Sequence, residues 1–371
     1  MNSNVSFPLT QSSRSRMSRR EAMRLLTSAI AAGTAGRLGA GAVAEEKKKT
    51  GMGLVAYCLG HQQRAMTRED PKTSLFEPMA FLERCHELGA GGIQVRLGVR
   101  DEDYATRLRK KAESYGMYIE GIASPPRDEA DVESFATQMQ TAAWSGARAV
   151  RTVIIPGRRY EFFDSLEKFR EAEARGRRSL ELAAPVVEKY RMPLAVENHK
   201  DQRAGARVEL LRQIGSEYVG ACVDTGNNLA LLQDPVEFAR AMAPLAFSVH
   251  LKDQAVREYR DGFLLADIPL GEGCIDLKTI VEVLRKAKPD IRFSLELITR
   301  DPLKVPCLKE QYWTTFPDLP GRDLARTLHT VRTRAAKALP QISTLSREQQ
   351  AARELANVRA SITFARDQIG I

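Results

Sequence analysis

The sequence predicts an α/β protein, a barrel of eight parallel strand–helix units with a helical extension at its C-terminal end. Three observations carry that prediction. From Gly51 onward short apolar runs alternate with amphipathic helical stretches, and the apolar runs number eight. Glycine punctuates the joins at Gly89, Gly116, Gly146 and Gly215, where helix C-caps belong. Four of the later runs end on an acid or an imidazole: Glu197 in Leu194-Ala-Val-Glu, Asp224 in Ala221-Cys-Val-Asp, His250 in Phe247-Ser-Val-His, and Glu296 in Phe293-Ser-Leu-Glu. These four lie 27, 26 and 46 residues apart, about one strand-plus-helix unit each.

In order, strands are expected near Met52 to Cys58, Gly92 to Val95, Tyr118 to Ala123, Ala149 to Ile155, Leu194 to Asn198, Val219 to Asp224, Phe247 to Leu251 and Ile291 to Leu297. Between them, apolar residues at three- and four-residue spacing predict helices such as Asp103 to Tyr115, Ser165 to Tyr190 and Leu277 to Ala287. No internal repeat competes with this reading. Beyond Gly321 two helical stretches are split by Pro340. Leu324, Leu328, Val331 and Ala335 mark the apolar face of one; Leu355, Val358, Ile362, Ala365 and Ile369 mark that of the other. They are expected to pack on the barrel or on a neighbouring subunit, the latter making a homo-oligomer. The expected organisation is thus a leader over residues 1–44, a linker over 45–50, a catalytic barrel over 51–320 and C-terminal helices over 321–371.

At 371 residues and 43% hydrophobic, the chain suits one large soluble domain, and no run after the N-terminus is long enough to cross a bilayer. The formal charge of +9 suggests a nucleic-acid partner until its location is considered. Residues 1–44 and 321–371 each carry a net +5, which leaves the body at −1 and without the electrostatic footprint that phosphate backbones require. The five cysteines, Cys58, Cys85, Cys222, Cys274 and Cys307, are odd in number and scattered, and read as packing residues.

At the N-terminus, Ser18-Arg-Arg-Glu-Ala-Met-Arg24 precedes a small-residue apolar stretch, and Ala42-Val-Ala44 offers a cleavage site. This resembles a twin-arginine export signal, which implies a periplasmic or otherwise extracytoplasmic protein beginning near Glu45, with no stable membrane insertion after cleavage. If the signal is not used, the protein is cytoplasmic.

Residues at the carboxyl ends of successive barrel strands converge on one mouth. Three carboxylates and one imidazole meeting there make a site for one divalent metal ion. Mn²⁺ is slightly favoured over Mg²⁺, Co²⁺ or Zn²⁺, because the donors are oxygen-rich and no thiol stands at a strand end. Glu197 and Glu296 can also move protons. His199 and Lys252 follow Glu197 and His250 by two residues and are expected on the same side. Lys252 either holds an oxyanion or pairs with Asp253. Glu120 and Arg151 are mid-strand polar residues that either reach the mouth or form buried ion pairs. Arg300, Lys304, Tyr312 and Trp313 follow the last strand in a stretch read as irregular, a usual source of substrate clamps.

Five segments, in order and at barrel spacing, resemble the xylose isomerase-like TIM barrels over residues 51–300. They are Ala195-Val-Glu-Asn-His199, Val223-Asp-Thr-Gly-Asn227, Val249-His-Leu-Lys-Asp253, Gly271-Glu-Gly273 and Ser294-Leu-Glu296. That family includes sugar-phosphate isomerases and epimerases, ketose 3-epimerases, inosose dehydratases and endonuclease IV. The resemblance implies that Glu197, Asp224, His250 and Glu296 ligate the metal and that the two glutamates work on opposite faces of a carbohydrate substrate. From their own placement His199, Asn227, Lys252 and Arg300 are the expected substrate contacts, His199 being otherwise a structural histidine and Asn227 otherwise a support to the ligands. Many relatives place a histidine where this chain has Asn227, and an amide cannot carry protons near neutrality. The expected activity is isomerisation or epimerisation of a sugar or keto-sugar, with a lyase or dehydratase as alternative. A non-catalytic sugar-binding barrel and an endonuclease IV-like repair enzyme are further rivals. The near-neutral body and the shortage of histidines, five in all, weigh against the last.

Overall fold

A computed structural model describes residues 50–371; the leader expected over residues 1–44 and nearly all of the linker lie outside the described residues. Eight parallel strands close a barrel: β1 (Gly53–Val55), β2 (Gly92–Val95), β3 (Tyr118–Ile122), β4 (Val150–Thr152), β5 (Leu194–Glu197), β6 (Val219–Asp224), β7 (Ala246–Leu251) and β10 (Phe293–Leu295). Each pairs with its neighbours in sequence order, and β10 closes the ring between β7 and β1. The strands match the apolar runs but several are shorter, because the chain turns away at the mouth once the ladder ends. Glycines 89, 116, 146 and 215 all take the left-handed conformation at helix ends, as their placement predicts.

Inward-facing residues stack in layers two residues apart along each strand. At the N-terminal end, the Tyr118 ring lies across the start of β2. A Cβ on Gly92 would fall 2.4 Å from that ring, so only glycine fits there. The Tyr118 hydroxyl accepts from the Gly53 amide at 2.9 Å and donates to the Phe293 carbonyl at 2.7 Å, tying β3 to the two strands at the seam.

The reading of 300–313 as irregular, and of the interval between His250 and Glu296 as one strand-plus-helix unit, requires correction. Directly after β7 the chain forms a hairpin of β8 (Asp253–Tyr259) and β9 (Gly262–Ile268), which β11 (Leu303–Val305) extends into a three-stranded antiparallel sheet. Val256, Phe263, Leu265, Val305, Tyr312 and Phe316 form a second apolar core beside the barrel. Tyr312 and Trp313 are therefore not clamps. The Tyr312 hydroxyl donates to the Ala230 carbonyl at 2.8 Å, and the Trp313 indole donates to the Cys307 carbonyl at 3.0 Å. Lys304 is exposed on β11.

The helix Gly321–Thr333 lays Leu324, Leu328 and Val331 on this second core. The final helix, Arg347–Gln368, buries Val358, Ile362 and Ala365 in the main core. Its Glu354 carboxylate accepts from the His61 and Gln62 amides at 2.8 and 3.0 Å, capping the helix Gly60–Glu69 that follows β1. All five cysteines are free, and no helix among the described residues is long and apolar enough to cross a membrane.

Because Gly92 leaves no room for a side chain, Gly92→Val is expected to cost about 1–3 kcal/mol by overpacking. The effect should appear as a lower midpoint in urea or thermal unfolding. An unchanged midpoint would show that Tyr118 can move aside freely.

Candidate metal centre

Glu197 ends β5, Asp224 ends β6, His250 lies one residue before the end of β7, and Glu296 immediately follows β10. One ligand atom from each lies within 4.8 Å of those of the other three, and all four residues are buried. The register brings Asp224 opposite His250 across β6 and β7, so convergence follows from the ladder itself.

Each side chain is held by a different device. The Asp224 Oδ1 accepts from the Gly226 and Asn227 amides at 2.9 and 2.8 Å, a turn that leaves Oδ2 facing the other ligands. Asn198 staples β5 to β6, its Oδ1 accepting from the Asp224 amide at 2.8 Å and its amide nitrogen donating to the Asp224 carbonyl at 2.9 Å. The His250 Nε2 lies 2.7 Å from the Gln94 Oε1, while the Gln94 amide donates to Glu120 at 2.8 Å. Since Gln94 gives its N–H to a carboxylate, its oxygen must accept, which places a proton on Nε2 and directs Nδ1 inward. Glu120 also accepts from Ser248 at 2.7 Å, and burial pushes its carboxyl up. Glu120 therefore anchors the floor below His250 and does not reach the mouth.

The cations are placed as deliberately. Arg151, on β4, forms a buried ion pair with the Glu197 Oε2 through both Nε and Nη2. Lys252 reaches the Glu296 Oε2 at 2.7 Å and the Asp224 Oδ2 at 3.0 Å. The alternative pairing of Lys252 with Asp253 is corrected. Asp253 instead accepts from the amides of Gly271, Gly273 and Ile275, and a Cβ on Gly273 would fall 2.1 Å from its carboxylate. Asn227 stands between the two charge signs, donating to the Glu197 Oε1 at 3.2 Å while its own oxygen accepts from Lys252 and Lys200. His199 is half-buried near Glu197, and burial presses its imidazole towards the neutral form. Arg300 pairs with Asp267 of β9 at 3.2 Å at the rim and is a third exposed.

Burial pushes the Asp224 carboxyl up to about 6, with Lys252 opposing. Burial also raises Glu296, but Lys252 and His250 outweigh it and hold that carboxyl well below the usual range. Glu197 is lowered likewise, Arg151 being the chief counterweight to burial.

Sequence reasoning missed Gln94, Asn198 and Lys200. Gln94 carried the same signal as Glu120 and Arg151, a polar residue inside a short apolar run. Asn198 was read only as the last residue of its strand, and Lys200 stands past the strand end, where periodicity is silent.

The residues fit a divalent ion. Among the described residues the buried His250 Nδ1 and Asp224 Oδ2 make no well-aligned hydrogen bond; Glu296 stands 3.5 Å from the first and Lys252 3.0 Å from the second, and both atoms belong to the cluster that brings the four ligands together. Three carboxylates and an imidazole are a donor set for a hard or borderline ion.

The profile of the family described as xylose isomerase-like TIM barrel matches residues 82–315. The 3-oxo-isoapionate decarboxylase of Pectobacterium atrosepticum is 26% identical over 249 residues, which cover 63% of this chain and 83% of that protein. A D-psicose 3-epimerase crystallised in the presence of D-fructose aligns with a TM-score of 0.54 at 15% identity, covering 81% of this chain and 95% of its own. A probable 3-DHS dehydratase from Bacillus anthracis aligns at 0.51 with 16% identity, covering 67% and 92%. The two structural likenesses show the fold.

Elemental analysis of protein purified with Mn²⁺ should give about one ion per chain. His250→Ala should abolish binding, and Gln94→Leu, which removes the partner that orients His250, should weaken it by about 10–100-fold. Undiminished affinity in Gln94→Leu would dissociate the floor network from the metal.

Proposed function

The chain belongs to the xylose isomerase-like TIM barrel family, and from that premise we propose that it is a metal-dependent lyase of keto-sugars, breaking a bond α or β to a carbonyl. The observation that carries this reading is the unequal pairing of the two glutamates. Glu197 is paired with a guanidinium, which does not give up protons at ordinary pH. Glu296 is paired with a primary ammonium, which its carboxylate partners hold firmly protonated at rest but which, unlike a guanidinium, can exchange its proton during a reaction. The Glu296–Lys252 pair is thus the proton carrier, and Glu197 serves as a fixed carboxylate.

A divalent ion held by Glu197, Asp224, His250 and Glu296 would polarise a carbonyl and an adjacent hydroxyl of the substrate. The residues around it do the remaining work. The burial of all four excludes water, so charge developing on the substrate is stabilised by fixed groups at low dielectric. If carbon dioxide leaves, the electron pair of the broken carbon–carbon bond passes into the carbonyl as an enolate, and the Glu296–Lys252 pair returns one proton to carbon. If a β-hydroxyl leaves instead, the same pair first takes the α-proton. Both routes need one proton carrier. The decarboxylase relative supports the first.

Isomerisation or epimerisation is the second reading. It is favoured by the Glu197 Oε1, which among the described residues accepts from the Asn227 amide alone and so retains capacity to act on a substrate face.

Incubation with aldoses, ketoses and keto-aldonates in deuterated water, followed by NMR, distinguishes the two. A lyase gives a product shortened by one carbon or dehydrated, and the shortened product carries one solvent deuterium. Glu296→Gln should lower turnover by about 10²–10⁴, the usual worth of a general acid–base group. An isomer of unchanged carbon count, with Glu197→Gln equally impaired, would replace this reading by the two-carboxylate one.

A further inference from the structure

Lys200 is a charged residue for which the chemistry described above has no use. It is 4% exposed, yet no carboxylate lies within ion-pair distance of its ammonium among the described residues. Its hydrogen-bond partner is the neutral Asn227 oxygen, which Lys252 also approaches at 3.3 Å. An ammonium carries three donors, so two remain for a ligand. A buried cation beside a second cation, without a counter-ion of its own, is costly unless something anionic completes the site.

The backbone is built to keep it there. Lys200 has φ of 65°, a left-handed conformation rare for residues other than glycine and asparagine. Its carbonyl accepts from the Arg159 amide at 3.0 Å, and the His199 amide donates to Asp201 at 3.0 Å. Asp201 is in turn locked by a buried ion pair with Arg207 at 2.6 Å. The strained residue is thus clamped on both sides.

We infer that Lys200 is a specificity-determining residue that binds a carboxylate of the substrate, so that the enzyme acts on keto-sugar acids in preference to neutral sugars. This rests on the keto-sugar reading above. A single negative charge matches the one ammonium left without a carboxylate, since Lys252 is already committed to Asp224 and Glu296. A phosphate dianion would bring a second charge towards three buried carboxylates with no cation to meet it.

The test is calorimetric titration of the Mn²⁺-loaded full chain with 2-keto-D-gluconate, D-fructose and inorganic phosphate. The first two differ only in a carboxylate against a hydroxymethyl group. A metal ion attracts the keto-acid by itself, so the informative quantity is the acid-to-sugar affinity ratio of Lys200→Gln against that of the wild type. The ratio should fall at least tenfold in Lys200→Gln and be retained in Lys200→Arg, with D-fructose affinity and metal content unchanged. An unchanged ratio in Lys200→Gln overturns the inference, as does phosphate displacing the keto-acid at comparable concentration. Loss of metal in Lys200→Gln would assign the lysine to the metal centre instead. Failure of both sugars to bind a metal-loaded wild type would overturn the keto-sugar reading, and this inference with it.

Discussion

Glu197, Asp224 and Glu296 bring ligand atoms within 4.8 Å of one another out of contact with water, and the surroundings are arranged to make that tolerable. At such a spacing and an effective dielectric of about 20, each pair of like charges repels by roughly 3–4 kcal/mol. A fold that is itself only marginally stable requires counter-charge for three such pairs. The counter-charge comes in two forms. Arg151 is fixed on a barrel strand against Glu197, whereas Lys252 reaches Glu296 and Asp224 on a flexible stem. A divalent ion held by the four ligands would add to the counter-charge that Arg151 and Lys252 already supply.

The layer beneath explains why the ligands point where they do. Gln94, Glu120 and Ser248 form a buried polar floor from β2, β3 and β7, and each hydrogen bond in it constrains the next until the His250 tautomer is set. A polar floor in a barrel core costs desolvation unless its bonds are made, so its retention suits a role in orienting the metal ligand. Beside it, Asn198 and the turn at Gly226 hold Asp224 through backbone contacts. The geometry thus rests on the sheet and not on mobile loops.

Much of the fold was legible because a parallel strand buried on both faces reads as a continuous apolar run, and four ligands at the ends of such runs mark the mouth. The β8–β9 hairpin was not read, although Asp261-Gly262 between β-rich segments is a hairpin signal. The eight-unit count had already absorbed that interval into a single crossover. Tyr312 and Trp313 were misread because an aromatic pair after the last strand looks the same in sequence whether it clamps a ligand or fills a satellite core. Only the second core formed by the hairpin decides between them. Lys200 was invisible for another reason: its importance lies in the lack of a carboxylate partner, which is a tertiary fact.

The chemistry of the site depends on these four side chains holding one divalent ion. Anomalous diffraction from crystals grown with Mn²⁺ measures this directly. The predicted result is a single strong peak at bonding distance from Glu197, Asp224, Glu296 and the Nδ1 of His250. A peak elsewhere, or no peak with Lys252 still bridging the two carboxylates, would contradict it and leave the cluster a buried salt-bridge network.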